Sequence, residues 1–257
     1  MSETTGIWTK SCCISKRLDG KLAIVTGSSA GIGLITAGEL ARRGAKVIMA
    51  CRNLSKAEGV RKQLLEKYGV NNPDSVNIDI ACKDVTQSLS PIKNDQLIIE
   101  QLDLASLDSV RQFADRINSK YTELDILINN AGLIVGKYEK TVDGFEMTIG
   151  VNRLGHFLLT ELLLPLLKRS APSRIINVSY MAHYAVRLSK PDLQLPEGEY
   201  SELKAYSQSK LANAMHAVEL SERLQNSGVT VVSLHPGAVK TEIQSCVKGF
   251  FSVSLSQ

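Results

Sequence analysis

Short apolar runs rich in β-branched residues alternate along this chain with longer stretches in which apolar residues recur at helical spacing. The apolar runs predict six strands, at residues 22–26, 46–50, 97–102, 125–129, 174–178 and 229–234. Helices are predicted at residues 31–43, 55–67, 106–120, about 145–167 and 204–225. Because alternating strands and helices join through right-handed crossovers, the pattern predicts an α/β fold. Its core would be a doubly wound parallel sheet with helices on both faces.

The same pattern predicts how the chain is divided. A length of 257 residues fits one large α/β domain better than two small ones. We expect this domain at residues 21–241, an N-terminal extension at residues 1–20 and a short tail at residues 242–257. A polar surface insertion is expected at residues 70–95, where Asn71-Asn72-Pro73 and Ser90-Pro91 interrupt the periodicity.

Composition and charge exclude several classes of protein. Hydrophobic residues make up 44% of the chain and the net charge is +4, which excludes a disordered chain and does not favour a nucleic-acid partner. The five cysteines are odd in number and no histidine–cysteine cluster has zinc spacing, so reduced thiols and no metal are expected. No apolar signal-peptide core is present in residues 1–15, and the longest apolar stretch, at 157–167, is shorter than the ~20 residues that span a bilayer. A cytoplasmic protein is therefore expected.

A glycine-rich turn separates the first predicted strand from the first predicted helix. Gly27 permits a tight turn, Gly31 lets the backbone approach a pyrophosphate, and Gly33 lets the helix pack against the strand. The helix N-terminus adds amide donors and a positive potential. The turn predicts a Rossmann-type dinucleotide site, with a flexible connector as the alternative. A P-loop is disfavoured because no Gly-Lys-Ser/Thr follows.

The end of the second predicted strand bears on the choice of cofactor. An acidic residue there would accept a hydrogen bond from the ribose 2′-hydroxyl of NAD, but the chain has Cys51-Arg52-Asn53. Arg52 can pair with a 2′-phosphate, which favours NADP(H) over NAD(H). The alternative is that Arg52 is an ordinary exposed residue at a strand end.

A tyrosine and a lysine four residues apart begin the last predicted helix. This spacing puts Tyr206 and Lys210 on one helix face, where the ammonium can stabilise a phenolate and lower the tyrosine pKa. Tyr206 would then exchange a proton with an alcohol or carbonyl while a nicotinamide exchanges hydride. The alternative is a packed tyrosine beside a solvated lysine.

These motifs follow one another in a characteristic order. After the glycine-rich turn come Asn129-Asn130-Ala131-Gly132, Val-Asn152-Arg-Leu-Gly-His156, the Tyr206 and Lys210 pair, and His235-Pro236-Gly237. In this order the chain resembles the short-chain dehydrogenase/reductase family over residues 21–241. Three further runs look most like its retinol dehydrogenase-like branch, at residues 50–53, 155–160 and 209–213. That branch implies NADP(H) and retinoid, steroid or other lipophilic alcohols and carbonyls.

The resemblance also implies roles for the residues at matching positions. The pyrophosphate would be held by Gly27, Ser29, Gly31, Ile32 and Gly33. Asp103 and Leu104 would meet the adenine, and Asn130, Ala131 and Gly132 would line the ribose side. Asn53, with Arg52 at the end of the second strand, would lie by the adenosine ribose, and Pro236, Gly237 and Thr241 would lie by the nicotinamide. Lys210 would contact a ribose, and Asn152 would hold a helix distortion and a water that passes protons to Lys210. Taken singly, Asn129-Asn130 could simply be turn residues at a strand end, and Pro236-Gly237 could be a plain turn.

The chain departs from the family pattern at two places. The family has a serine at the end of the fifth strand, whereas the run Asn177-Val178-Ser179-Tyr180 puts Tyr180 there. Ser179 is one residue back and would point to the opposite face unless a bulge turns it inward. Only 16 residues follow Thr241, so the substrate-covering helices and a seventh strand are expected to be missing, as in a truncated isoform or fragment.

Three functions remain open at this point. The first is an oxidoreductase that transfers hydride between NADP(H) and a lipophilic substrate, with Tyr206 as general acid and base. The second is a catalytically impaired NADP(H)-binding or regulatory protein, suggested by Tyr180 and the short C-terminus. An epimerase-like relative is the third and fits poorly, because it normally carries a larger substrate domain. The resemblance also implies a homodimer through the helices of Asn152 and Tyr206, and it leaves open peripheral contact with an intracellular membrane.

Overall fold

The structure, a computed structural model, describes residues 15–76, 88–237 and 239. Within these residues six parallel strands form one sheet in the order β3-β2-β1-β4-β5-β6. The strands are β1 (Leu22–Thr26), β2 (Lys46–Cys51), β3 (Leu97–Gln101), β4 (Ile126–Asn129), β5 (Ser173–Val178) and β6 (Val229–Leu234). The predicted doubly wound sheet is confirmed, and no strand end differs from its predicted position by more than one residue.

Helices cover both faces of this sheet. They are α1 (Gly31–Arg42), α2 (Leu54–Tyr68), α3 (Leu107–Lys120), α4 (Met147–Ile149), α5 (His156–Arg169) and α6 (Glu202–Arg223). The helix predicted at about 145–167 is thus in two parts, because a π-helical turn at Gly150–Gly155 separates α4 from α5. Polar caps begin several helices. Asn53 Oδ1, for example, accepts a hydrogen bond from Lys56 N at 2.9 Å at the start of α2.

Burial on both faces explains why the strand segments are almost uniformly apolar. Successive strand residues point to opposite faces of a sheet. Ile24 belongs to the apolar cluster beneath α3, α5 and α6, whereas Val25 belongs to the cluster beneath α1 and α2. Both side chains are fully buried. A parallel sheet covered in this way has no need of alternating polar residues, so its polar groups are concentrated at the strand ends.

The described parts of the predicted extension and insertion contact the sheet and its helices. Leu18 N donates to Arg43 O at 2.8 Å, and Ser90 N donates to Arg42 O at 2.8 Å. Ile92 is fully buried. Residues 77–87 and the predicted tail at 242–257 lie outside the described residues, so the domain bounds stay predictions. In the described part of the chain, every helix is too short or too polar to cross a bilayer.

Candidate functional site

A cleft of about 460 Å³ lies at the carboxyl ends of the strands, beside β1 and β4, where the strand order reverses. Most residues predicted to bind cofactor or substrate line it: Gly27, Ser29, Gly31, Ile32, Arg52, Asn53, Asp103, Leu104, Asn130, Ala131, Gly132, Ser179, Tyr180, Tyr206, Lys210, Pro236 and Gly237. Gly33 and Asn152 are buried and do not line the cleft. Thr241 lies outside the described residues.

The glycine-rich turn packs closely against the loop that follows β4. Gly27 has a positive φ of 66°, and a Cβ atom at this position would lie 2.9 Å from the Cα atom of Ala131. A Cβ on Gly33 would lie 2.6 Å from the carbonyl oxygen of Gly27. Both positions therefore require glycine, and the turn leaves its backbone open to the cleft. This cradle fits the pyrophosphate of a dinucleotide at the N-terminus of α1.

The end of β2 supplies two cations to the cleft. Arg52 lines it, and Lys56, the third residue of α2, lines it as well. Lys56 was not predicted from the sequence, although a cation four residues after Arg52, at the start of a predicted helix, is a signal that the sequence contains. Asn53 caps α2 with its side chain. Further along the wall, Asp103 Oδ1 accepts from Ala105 N at 2.9 Å, so this carboxylate holds the turn after β3.

Tyr206 and Lys210 face the cleft from the first turns of α6. Lys210 Nζ lies 5.4 Å from the ring centroid of Tyr206 and donates to the carbonyl oxygen of Val178 at 3.0 Å. Burial lowers the pKa of Lys210 to about 8. Burial, together with the neighbouring phenol of Tyr180, raises the pKa of Tyr206 to about 12. This differs from the expected lowering of the tyrosine pKa by Lys210, because desolvation of the phenol and its neighbour Tyr180 both raise it.

Asn152 lies in the π-helical turn, and both polar atoms of its side chain are hydrogen-bonded. Its Oδ1 accepts from Leu133 N at 2.8 Å, and its Nδ2 donates to Leu133 O at 3.0 Å and to Ser209 Oγ at 3.1 Å. Ser209 Oγ in turn donates to Tyr206 O at 2.7 Å. A Cβ on Gly132 would lie 3.5 Å from both Asn152 Oδ1 and Lys210 Nζ. The π turn therefore holds Asn152 between the loop after β4 and the helix of Tyr206.

The two residues after β5 have different roles in the structure. Ser179 N donates to Leu234 O at 2.8 Å, so strand pairing continues without a bulge, and Ser179 Oγ donates to Lys210 O at 2.7 Å. The bulge that would turn Ser179 inward is therefore not formed. The ring of Tyr180 instead lies 6.2 Å from that of Tyr206 and packs edge-on against His235 at 4.9 Å. Tyr180 thus occupies the cleft beside Tyr206.

The remaining lining is mostly apolar and was not singled out from the sequence. It includes Leu133, Ile134, Val151, Ala182, Leu203 and Val239. These residues come from separate loops and helices, and no local pattern in the sequence shows that they meet. Among the described residues, no group of three or more histidine, cysteine, aspartate or glutamate side chains is placed to hold a metal ion. The site therefore combines a dinucleotide cradle, a half-buried phenol beside a buried ammonium, and an apolar wall.

Known proteins are similar to this chain in sequence. A model of the family described as short chain dehydrogenase matches residues 21–90 and 74–190. Human retinol dehydrogenase 11 is 45% identical over 232 residues, which are 90% of this chain and 65% of that protein. Human retinol dehydrogenase 13 is 47% identical over 236 residues, which are 91% of this chain and 64% of that protein. The chain thus spans slightly less than two thirds of the length of these relatives.

Solved structures share the fold. An uncharacterized protein from Mycobacterium paratuberculosis superposes with a TM-score of 0.68 at 39% identity, covering 87% of this chain and 70% of that one. A complex of Pseudomonas aeruginosa RhlG with NADP at its active site superposes with a TM-score of 0.65 at 26% identity, covering 89% of this chain and 77% of that one.

Proposed function

We propose that this chain, which belongs to the short-chain dehydrogenase family and to its retinol dehydrogenase-like branch, is an oxidoreductase. It transfers hydride between NADP(H) and a lipophilic alcohol or carbonyl compound, of which retinoids and steroids are the first candidates. The observation that carries the proposal is that Tyr206 and Lys210 line the same cleft as the glycine-rich turn. A proton-transfer group and a dinucleotide cradle therefore open onto one space.

The preference for NADP(H) rests on the end of β2. Arg52 and Lys56 line the cleft where the ribose next to adenine would lie, and the residue after the strand is Arg52 rather than an acid. A guanidinium pairs with a phosphate through two parallel hydrogen bonds. The cations would therefore stabilise the 2′-phosphate that distinguishes NADP(H) from NAD(H).

Tyr206 acts as the proton donor when a carbonyl is reduced. A dinucleotide held at the glycine-rich turn would supply the hydride that reduces the carbonyl. With a pKa of about 12, Tyr206 carries its proton near neutral pH and can give it to the carbonyl oxygen. With a pKa of about 8, Lys210 is mostly cationic there and stabilises the phenolate that remains. In alcohol oxidation the proton and the hydride move in the opposite direction.

Tyr180 stands where the family has a serine that orients the reacting oxygen. Its ring lies beside that of Tyr206, and its phenol keeps the O–H donor that the serine would supply. We assign to Tyr180 the second hydrogen bond to the reacting oxygen. The apolar wall at Leu133, Ile134 and Leu203 then suits a hydrophobic substrate. A homodimer and contact with a membrane stay predictions.

The proposal is tested with purified protein, NADPH and retinaldehyde or another hydrophobic aldehyde. We expect oxidation of NADPH that depends on the aldehyde, with weaker turnover of NADH. Tyr206→Phe should abolish turnover and leave NADPH binding within a few-fold of the wild type. The matched control is Tyr200→Phe, because the Tyr200 hydroxyl donates to Val135 O at 2.6 Å and does not line the cleft. Turnover that persists in Tyr206→Phe would show that Tyr206 is not the proton donor. If the wild type binds neither NADPH nor NADH, the proposed function is wrong.

A further inference from the structure

The hydroxyl of Thr26, at the end of β1, receives two hydrogen bonds. The backbone amides of Asn130 and Ala131 each donate to Thr26 Oγ1 at 2.9 Å. Both acceptor positions of a hydroxyl oxygen are then filled, so the group can interact further only by donating its own proton. The nearest acceptor is Nε2 of His156 at 2.8 Å, whereas the carbonyl oxygen of Ile128 is farther, at 3.4 Å.

The other ring nitrogen of His156 faces a group that only accepts. Nδ1 lies 3.1 Å from the carbonyl oxygen of Asn152, so it must carry a proton. The ring is therefore neutral, with its proton on Nδ1 and its lone pair on Nε2. His156 is only 2% exposed, and burial lowers its pKa to about 4, with the charges of Lys210 and Arg153 acting in the same direction. A second proton on Nε2 would meet a hydroxyl that has no free lone pair.

The carbonyl of Asn152 belongs to the turn that holds the proposed proton-transfer helix. Asn213 Nδ2 donates to the same oxygen at 3.1 Å. The side chain of Asn152 is bound to Leu133 and to Ser209, and Ser209 is bound to the backbone of Tyr206. The ring of His156 is therefore the link between the strand end at the dinucleotide cradle and the π-helical turn beside Tyr206.

We propose that His156 is a positioning residue that couples the dinucleotide cradle to the π-helical turn through its two ring nitrogens. The Nε2 contact fixes Thr26, whose hydroxyl holds the loop at Asn130 and Ala131. The Nδ1 contact fixes the backbone of Asn152. This inference rests on the proposed function. Loss of the Thr26 contact should change dinucleotide affinity, and loss of the Asn152 contact should change turnover.

The two contacts can be removed one at a time. The amide of an asparagine at position 156 lies near the place of Nδ1, and that of a glutamine lies near the place of Nε2. His156→Asn keeps the donor to Asn152 and loses the acceptor for Thr26. His156→Gln does the reverse, and His156→Phe loses both. Dinucleotide dissociation constants from calorimetry and kcat and KM for NADPH-dependent reduction are measured for each variant.

We expect His156→Asn to raise the NADPH dissociation constant about fivefold with little change in kcat, as for the loss of one buried hydrogen bond. His156→Gln should lower kcat about fivefold and leave the dissociation constant within about twofold. His156→Phe should show both effects. The control is the same pair of substitutions at His216, a buried histidine of α6. Its Nδ1 lies 3.0 Å from Arg153 Nη1, and it forms no hydrogen bond with Thr26 or Asn152. The substitutions at His216 should lower the unfolding temperature without separating affinity from turnover.

Two results would overturn the inference. One is that His156→Asn and His156→Gln both change the NADPH dissociation constant and kcat by the same ratio. That result is expected if His156 only stabilises the fold. The other, which needs no variant to fold, is a nitrogen NMR spectrum of the wild type in which His156 carries its proton on Nε2 or on both nitrogens near neutral pH. Failure of the proposed function looks different, because the wild type itself would then bind no dinucleotide.

Discussion

The ammonium of Lys210 donates a hydrogen bond to the carbonyl oxygen of Val178 at 3.0 Å, while it lies 5.4 Å from the ring centroid of Tyr206. The end of β5 therefore positions the lysine, and the phenol stays protonated. In the protein alone the pair consists of a neutral acid with a pKa of about 12 and a buried cation with a pKa of about 8. This arrangement suits carbonyl reduction, in which the phenol gives up a proton and the cation stabilises the phenolate.

Lys210→Met should abolish turnover and also remove a pH dependence of stability. The pKa of Lys210 falls from 10.5 to about 8 on folding, so the unfolded chain binds more protons between these values. The free energy of unfolding contributed by Lys210 therefore rises with pH from about 8 to about 10.5. Thermal unfolding across this window should show the rise in the wild type and not in Lys210→Met. Lys204→Met, on the exposed side of α6, should leave the rise in place, and an unchanged slope in Lys210→Met would contradict the burial of its charge.

Tyr180→Phe should lower kcat for aldehyde reduction by about 10², which is the scale for the loss of one donor to a developing oxyanion. It should also lower the pKa of Tyr206, because the phenol of Tyr180 contributes to raising it. Steady-state kinetics as a function of pH measure both effects. Tyr180→Ser restores a hydroxyl near the strand end and should retain more activity than Tyr180→Phe. Equal activity of the wild type and Tyr180→Phe would show that the reacting oxygen needs no second donor here.

Arg52→Asp should reverse the choice of dinucleotide. The carboxylate can accept from a ribose 2′-hydroxyl and repels a 2′-phosphate, so the NADPH dissociation constant should rise by about 10–10² while that for NADH falls. Calorimetry with both dinucleotides measures the change. Arg61→Asp is the control, because Arg61 lies on α2 outside the cleft and donates to Leu97 O at 3.0 Å. An unchanged preference in Arg52→Asp would place the specificity elsewhere.

Acid should destabilise the protein through its buried histidines. The pKa of His156 is lowered from 6.5 to about 4 and that of His216 to about 3, so the unfolded chain binds more protons below about pH 6.5. Stability conferred by neutral His156 should therefore be lost as pH falls from 6.5 towards 4, by on the order of 3 kcal/mol. Denaturant unfolding at a series of pH values measures this loss. His156→Phe should make the profile less steep and leave the part of the loss that His216 contributes. A profile as steep in His156→Phe as in the wild type would contradict a neutral, buried His156.

Substitutions of Gly33 and Gly59 by alanine should have opposite effects on stability, because one glycine is closely packed and the other is not. A Cβ on Gly33 would lie 2.5 Å from Asn130 Nδ2 and 2.6 Å from Gly27 O, so Gly33→Ala should destabilise the fold by about 1–3 kcal/mol and weaken NADPH binding. A Cβ on Gly59 meets no atom within 4 Å. Gly59→Ala in α2 should therefore stabilise the fold by about 0.5–1 kcal/mol without affecting binding. Thermal unfolding and calorimetry measure both, and a neutral Gly33→Ala would show that the turn can move away from α1.

The sequence was sufficient for the sheet and for most of the cleft. Each strand is a run of mostly apolar residues that is buried on both faces of the sheet, as Ile24 and Val25 show. Such a run can be recognised in the sequence without knowing which segments pack against it. The glycine-rich turn and the four-residue spacing of Tyr206 and Lys210 are local patterns too. Their positions at the strand ends follow from the parallel topology. For this reason most of the residues predicted from motifs line the cleft.

Only the tertiary structure decided how these groups interact. The direction of the Ser179 hydroxyl towards Lys210 O depends on how β5 pairs with β6 and packs on α6. The raised pKa of Tyr206 depends on burial by distant segments, and the sequence spacing alone predicted the opposite direction. The hydrogen bond between Thr26 and His156 joins two residues that are 130 positions apart in the chain. Hydrogen-bond partners and desolvation are set by contacts between remote segments, whereas periodicity and spacing record only what neighbouring residues do.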